Sequence, residues 1–271
     1  AGGRVEGRQV ARGVAAHQAP GAIGAKLPVG QAGAQLARAL QQRAGNAVLE
    51  GGVLLDEPLG ALDLKLRRQM QIELKAIQIE VGLTFLHVTH DQEEAMDMAD
   101  TVAVMNKGRI EQMGSPEKLY DRPHTAFVSK FLGQSNLFVG EVAESNSTSI
   151  SINVSGSKIT VPTDRAEKHN GTIAVGVRPE KANFHETEPA QQTGVNLIGP
   201  GEIIDIRFTG VSNQYLIEIP GIGEVTVFAQ NVGKSPVTEL GAKVWVSWKV
   251  EHTFGLSDLP QNSATESISV I

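Results

Sequence analysis

The chain has 271 residues, of which 41% are apolar and 20% charged, with a formal net charge of -6 and no cysteine. This length accommodates about two domains at roughly 150 residues each. The absence of cysteine excludes a disulfide framework, a thiolate zinc site and a thiol nucleophile. The acidic balance does not suit a nucleic-acid binder, so no nucleic-acid partner is expected. No apolar run approaches the roughly 18 residues needed to span a bilayer, and the start lacks the apolar core of a signal peptide. The chain begins with Ala rather than Met, from which a fragment or processed chain is expected.

Residues 1–52 contain no aromatic residue and no Ser, Thr, Asp or Met. Such a Gly-rich, Ala-rich tract buries too little apolar area to offset its ordering entropy easily. Leu36, Ala37, Leu40 and Ala44 allow a short helix within 31–49.

From Val53 the pattern changes. Val53-Leu54-Leu55 is a short strand ending in Asp56-Glu57-Pro58. Leu66, Met70, Leu74, Ile77 and Val81 recur every three or four residues, which predicts an amphipathic helix over 63–81, ended by Gly82. A β-type run follows at 84–88. Then come a helix at 92–99 with Asp91 at its start, a strand at 101–105, a turn at 106–108 and a strand at 109–112. Ser115 and Pro116 open another helix. Strands alternating with helices predict a parallel α/β sheet.

After Gly133 short β-type segments separated by Gly, Pro, Asn and Ser predict a small all-β barrel or sandwich. They fall at 137–142, 149–154, 158–161, 172–177, 201–208, 214–219, 224–228 and 243–250. Trp245 and Trp248, in the last of them, are expected as packing residues. The expected domains are an atypical segment at 1–52, an α/β part at 53–134 and a β-barrel at 135–271.

Two adjacent carboxylates, Asp56 and Glu57, close an apolar strand, where α/β sheets bind ligands. There one carboxylate can hold Mg²⁺ and the other can deprotonate a water. His90 closes the next strand within Val88-Thr89-His90-Asp91 and can reach a phosphate. The other histidines show no metal-ligand spacing, and Glu93-Glu94 reads as the solvated face of a helix.

Together these residues resemble the ATP-binding subunit of ATP-binding-cassette (ABC) transporters. Asp56-Glu57 resembles the Walker B element, Leu59-Gly60-Ala61-Leu62-Asp63 the D-loop and His90 the switch histidine. Val104 to Ile110, Gly114 to Tyr120 and Phe127 to Gly133 resemble bacterial importers of the polyamine, iron, sulfate and sugar groups. Arg178-Pro179-Glu180 is similar to the signature of the accessory TOBE barrel. Gly210 to Tyr215 and His252 to Leu256 look most like spermidine/putrescine importers.

The resemblance implies an α/β fold: the C-terminal part of a P-loop NTPase (ABC ATPase) domain, followed by a small all-β OB-like barrel. It implies ATP and Mg²⁺ as cofactors, with Asp56 holding the metal through water, Glu57 as general base and His90 on the γ-phosphate. Asp63 would communicate across a homodimer with a second ATPase subunit. The implied partners are transmembrane permease subunits and, indirectly, a solute-binding protein. The implied location is cytoplasmic, peripheral on the inner face of the cell membrane. Leu27-Pro28-Val29-Gly30-Gln31 echoes the family's Leu-Ser-Gly-Gly-Gln signature, so Gly30 and Gln31 are its candidate nucleotide contacts.

The sequence departs from the family in one decisive way. It has no Gly-x-x-x-x-Gly-Lys-Ser/Thr phosphate loop. In Gly233-Lys234-Ser235, Phe228 stands where the first Gly should be, and a loop is expected. Residues 1–52 are accordingly expected to be a degraded or frameshifted remnant of the upstream half. The expected function is an importer subunit coupling ATP hydrolysis to uptake of a small solute. Polyamine is the first choice of solute, with iron, sulfate or sugar as alternatives. The competing expectation is a truncated, non-hydrolysing chain acting only through its barrel.

Overall fold

The computed structural model of the chain describes residues 12–17, 48–49, 52–233 and 239–260. The chain divides into two compact units, Ala1–Tyr120 and Asp121–Ile271.

The first unit holds a six-stranded sheet in the order β2-β3-β4-β1-β5-β6. Its strands are β1 (Arg12–His17), β2 (Val48–Leu49), β3 (Gly52–Asp56), β4 (Thr84–Thr89), β5 (Thr101–Asn106) and β6 (Arg109–Gly114). Helix α1 (Leu64–Val81) joins β3 to β4, and α2 (Gln92–Met98) joins β4 to β5. Helix α3 (Pro116–Asp121) follows β6, with the Ser115 hydroxyl accepting from the Lys118 amide at 3.4 Å.

Local chemistry sets the helix limits. Asp63 caps α1 by accepting from the Leu66 amide at 3.0 Å. Gly82 ends it in the left-handed conformation, φ 69°, and donates to the Gln78 carbonyl. The buried face of α1 is narrower than the apolar spacing predicts. Leu74 and Ile77 are buried against Leu55, Leu59, Phe85 and Met98. Leu66 and Val81, at the two ends, are exposed, and Gln71 and Gln78 are buried instead.

The parallel sheet expected from the alternation of strands and helices forms only in part. Only β3 and β4 run parallel among the described strands. Strands β4 and β5 run the same way, but the α2 crossover leaves one strand's width between them. That slot is filled by β1, antiparallel to both. Strands β5 and β6 are antiparallel because Lys107 and Gly108, at φ 49° and 78°, make a two-residue left-handed hairpin turn. Two strands thus lie within 1–52, the tract marked as atypical by composition. The short helix expected there lies outside the described residues, except for Val48–Leu49, which is a strand.

The second unit is all-β apart from helix α4 (Ala126–Phe131) and short 3-10 turns. One sheet has the order β16-β10-β7-β8-β9 and the other β11-β15-β12-β13-β14, each five-stranded. The first comprises β7 (Asn136–Ser145), β8 (Ser149–Val154), β9 (Ser157–Pro162), β10 (Thr172–Val177) and β16 (Phe254–Leu256). The second comprises β11 (Asn183–His185), β12 (Val195–Phe208), β13 (Ser212–Ile219), β14 (Gly223–Gln230) and β15 (Lys243–Lys249). Their apolar faces share one core, from Ile150, Ile152 and Ile173 to Tyr215, Val246 and Trp248. Trp248 stacks on Phe138 with ring centroids 5.5 Å apart, which bears out its reading as a packing residue.

Two buried asparagines fasten one sheet to the edge strand of the other. Asn196 of β12 bonds both backbone groups of Thr160 on β9, each at 2.8 Å. Asn136 of β7 does the same for Thr226 on β14, at 2.8 and 2.7 Å. Each carboxamide stands in for a missing neighbouring strand, so the two sheets close toward a barrel without leaving those edge groups unpaired.

Residues 121–134, expected as the end of the α/β part, lie in the second unit. Arg178 is the reason. It is 2% exposed, and its Nη1 lies within 2.7–3.2 Å of the Ser135 hydroxyl and the Gly133 and Gln134 carbonyls. The same nitrogen donates to the Ser129 carbonyl at 2.9 Å, near the C-terminus of α4, where a cation suits the unpaired carbonyls. Asp258 accepts from the Ala126 amide at 2.7 Å and secures the helix's other end.

Candidate functional site

Because β3 and β4 are parallel and in register, with Asp56 opposite Val88, their C-terminal ends emerge side by side. The residues following each strand therefore meet. Asp56 is the last residue of β3 and is exposed; Glu57 follows it, and His90 follows β4. His90 Nδ1 lies 3.2 Å from Glu57 Oε1, with roughly half of each side chain open to solvent. The structure thus brings together two of the residues that the sequence proposes for one site.

The Glu57 backbone holds the pair in position. Its amide donates to the Val88 carbonyl at 2.8 Å, extending the β3–β4 ladder by one bond. Its φ is 45°, in the left-handed region that non-glycine residues seldom occupy. Strain of this kind concentrates where side-chain direction matters for function. Leu59, buried beneath the turn, anchors the segment that leads into α1.

Asp63 lies farther along, as the N-cap of α1, with its Oδ1 engaged by the Leu66 amide. No bond joins Asp63 to the Glu57–His90 pair. Gly30 and Gln31 lie outside the described residues, as do Lys234 and Ser235 of the Gly-Lys-Ser sequence.

The structure adds residues that the sequence reading left aside. Arg67, on the first turn of α1, donates from Nη1 to Asp91 Oδ2 at 2.6 Å and from Nη2 to the Leu62 carbonyl at 3.2 Å. One guanidinium thus ties the segment after Glu57 to the residue after His90. Asp91 caps α2 in turn, its Oδ1 accepting from the Glu93 and Glu94 amides. Glu94 corrects an expectation: it is not on a solvated face but buried, with Oε2 accepting from the Thr89 hydroxyl at 3.0 Å. Glu93 is exposed. Thr89 Oγ1 also accepts from the Asp91 amide at 3.0 Å, which fixes the turn carrying His90. An Asp N-cap is a readable local signal. The arginine that reaches it from another helix leaves no local trace.

Chemically, the arrangement offers an exposed carboxylate beside an imidazole, with a second exposed carboxylate one residue away. Glu57 can accept a proton from a water, and His90 can orient it or donate to an anion. No cluster of three or more His, Asp or Glu side chains suited to a metal occurs among the described residues. Asp56 alone fits a strongly hydrated Mg²⁺, which commonly takes one or two carboxylates and otherwise water and phosphate oxygens. No helix among the described residues is long and apolar enough to cross a membrane.

Comparison with known proteins agrees with the family resemblance. Residues 175–256 match the TOBE domain family. Over 222 residues the chain is 40% identical to the spermidine/putrescine import ATP-binding protein PotA of Thermobifida fusca, covering 82% of this chain and 56% of the relative. The protein of the same name from Frankia alni is 42% identical over 239 residues, 82% of this chain and 48% of the relative. That from Acidothermus cellulolyticus is 37% identical over 236 residues, 84% of this chain and 59% of the relative. The chain spans about half the length of the curated relatives it matches.

Proposed function

Taking as premise the homology to ATP-binding subunits of ABC importers, we propose that this chain is the part of such a subunit that carries the hydrolytic carboxylate and the accessory barrel. The transported solute is a polyamine of the spermidine/putrescine class. The observation that carries this reading is the Glu57–His90 contact at the joined ends of β3 and β4. Glu57 takes a proton from the attacking water, and His90 faces the γ-phosphate. Asp56 would hold Mg²⁺ through water, and the metal would supply charge neutralisation at the phosphates. Asp63, at the helix start beyond the turn, is the residue we assign to contact with a second ATPase subunit. Permease subunits are the partners at the inner face of the membrane, and a solute-binding protein acts through them.

The polypeptide carries no phosphate-cradling Gly-Lys-Ser/Thr loop of the required spacing. Without that lysine and those backbone amides, the β- and γ-phosphates lose most of their contacts. The residues present can serve the metal and the water but not the phosphate tail. Calorimetric titration of the chain with MgATP is therefore expected to show no saturable binding in the micromolar range. A micromolar Kd would overturn this part of the reading.

A second reading has its own support. The barrel is self-contained, with its two sheets closed by Asn136 and Asn196. Acting alone, the chain would then be a non-hydrolysing module that binds a partner or small ligand through the barrel.

A further inference from the structure

Among the buried side-chain atoms of the described residues without a hydrogen-bond partner, three belong together: Gln78 Oε1, His87 Nδ1 and Glu94 Oε1. All three residues line one small cavity between α1, β4 and α2. Each belongs to a residue more than nine-tenths buried, at 1%, 6% and 3% exposure. The cavity leaves about 10 Å³ open to the centre of a water molecule. That is the least volume that holds one water, and a site with two to four polar partners is where a buried water is retained.

We propose that this cavity binds a single ordered water, which donates to Gln78 Oε1 and Glu94 Oε1 and accepts from a protonated His87 Nδ1. The assignment follows from counting donors. Gln78 Nε2 donates to the Leu83 carbonyl at 2.9 Å, which leaves Oε1 as the acceptor of a side chain that lines the cavity. Glu94 has Oε2 engaged by Thr89, leaving Oε1 as an acceptor. A water has two hydrogens, so those two acceptors exhaust it, and the third partner must be a donor. His87 Nδ1 and Glu94 Oε1 are 3.8 Å apart, too far for a direct hydrogen bond. Lys75 is the cation among the lining residues. It is engaged elsewhere, donating to the Met98 carbonyl at 2.8 Å and facing Asp100 at 3.5 Å.

The water would do more than fill space. It ends a chain of bonds running through Glu94 to the Thr89 hydroxyl and on to the Asp91 amide, on either side of His90. Gln78, His87 and Glu94 are thus positioning residues for the turn that presents His90. This inference is independent of the proposed ATPase role, since it concerns only how that turn is held.

The test uses the chain as it stands. A crystal structure at high resolution is expected to show one density peak within hydrogen-bond distance of all three atoms. A long-range ¹H–¹⁵N spectrum at neutral pH is expected to show His87 protonated at Nδ1. An empty cavity, or a direct His87–Glu94 bond with no water, overturns the proposal. So does a spectrum with His87 Nδ1 unprotonated. None of these results depends on nucleotide binding, so failure here is distinguishable from failure of the functional reading.

Discussion

The two units treat their buried polar groups differently. In the barrel, Asn196 and Asn136 each exchange two hydrogen bonds with a backbone residue of the opposite sheet. Asn196 Nδ2 also donates to the Thr253 hydroxyl, which in turn accepts from the Trp248 indole. Among the described residues, the buried side-chain atoms left without partners are Arg67 Nε, Gln78 Oε1, His87 Nδ1 and Glu94 Oε1, and all lie in the first unit. The barrel's polar network is reciprocal and complete, so it specifies one packing. The first unit concentrates its unsatisfied groups directly behind the turn that bears the candidate site. Incomplete satisfaction of this kind is tolerated where a further component completes the network or where function requires the arrangement.

The contrast is broken most sharply by Asn196→Leu. The leucine is of similar size but leaves both backbone groups of Thr160 unpaired at a half-buried edge, and each such group costs about 1–3 kcal/mol when water cannot replace the bond. A loss of about 3 kcal/mol in unfolding free energy is expected from denaturant titration of the chain. The slope of the unfolding transition should stay unchanged, because the fold and the area exposed are the same. A variant within about 0.5 kcal/mol of the parent would mean that the asparagines merely occupy the barrel closure rather than hold it.

Arg67→Met tests the other side of the comparison. The Arg67–Asp91 pair is about three-quarters buried on each side, and the methionine keeps most of the apolar stem in place. Its loss is expected to cost about 1 kcal/mol, less than the asparagine, because the pair remains in partial contact with water. Asp91 keeps its bonds to the Glu93 and Glu94 amides, so α2 should remain capped. The clearer readout is hydrogen exchange at the Asp91 and Glu57 amides. Exchange at both is expected to quicken as the link between the two turns is released. Unchanged exchange at both would show that Thr89 and Glu94 hold the His90 turn without help from α1.

What could be read from the sequence separates along the same physical line. Features fixed within a few residues were legible. Asp63 and Gly82 bound α1, Asp91 caps α2, and the strand periodicity located most of the barrel. The pairing of Glu57 with His90 was legible because each follows the end of a recognisable strand and a family motif places both at one site. Features set by tertiary partners were not. Asn136 and Asn196 sit in strands where an asparagine ordinarily reads as surface or turn. Glu94 beside Glu93 reads as a solvated pair until Thr89 is seen to bury it. Strands β11 and β16 have three residues each, too short for alternation to show. The place of β1 in the sheet could not be read because nothing in a run of Arg, Gly, Val and Ala marks it as a central strand.

The smallest expected effect concerns pH and belongs to the barrel alone. His252 follows β15 in a short 3-10 turn, and its pKa lies below the ordinary 6.5. Burial is the largest cause, and the nearby Lys181 adds to it; Glu251 opposes both, while Lys249 and Arg165 contribute in the same direction as burial. The folded chain therefore holds this proton less tightly than the unfolded chain. Where the unfolded state binds more protons, stability rises with pH. Stability should fall as pH drops below about 6.5, and the loss should level off once pH is below the lowered folded value. The residue is partly exposed, so solvent screens the effect and the shift in melting temperature is expected to be small. It is isolated by comparing the chain with His252→Gln, which cannot titrate. The two are expected to melt in parallel above pH 7 and to diverge below about 6.5, the variant losing less. A variant that loses as much as the parent over that interval would place the acid sensitivity elsewhere.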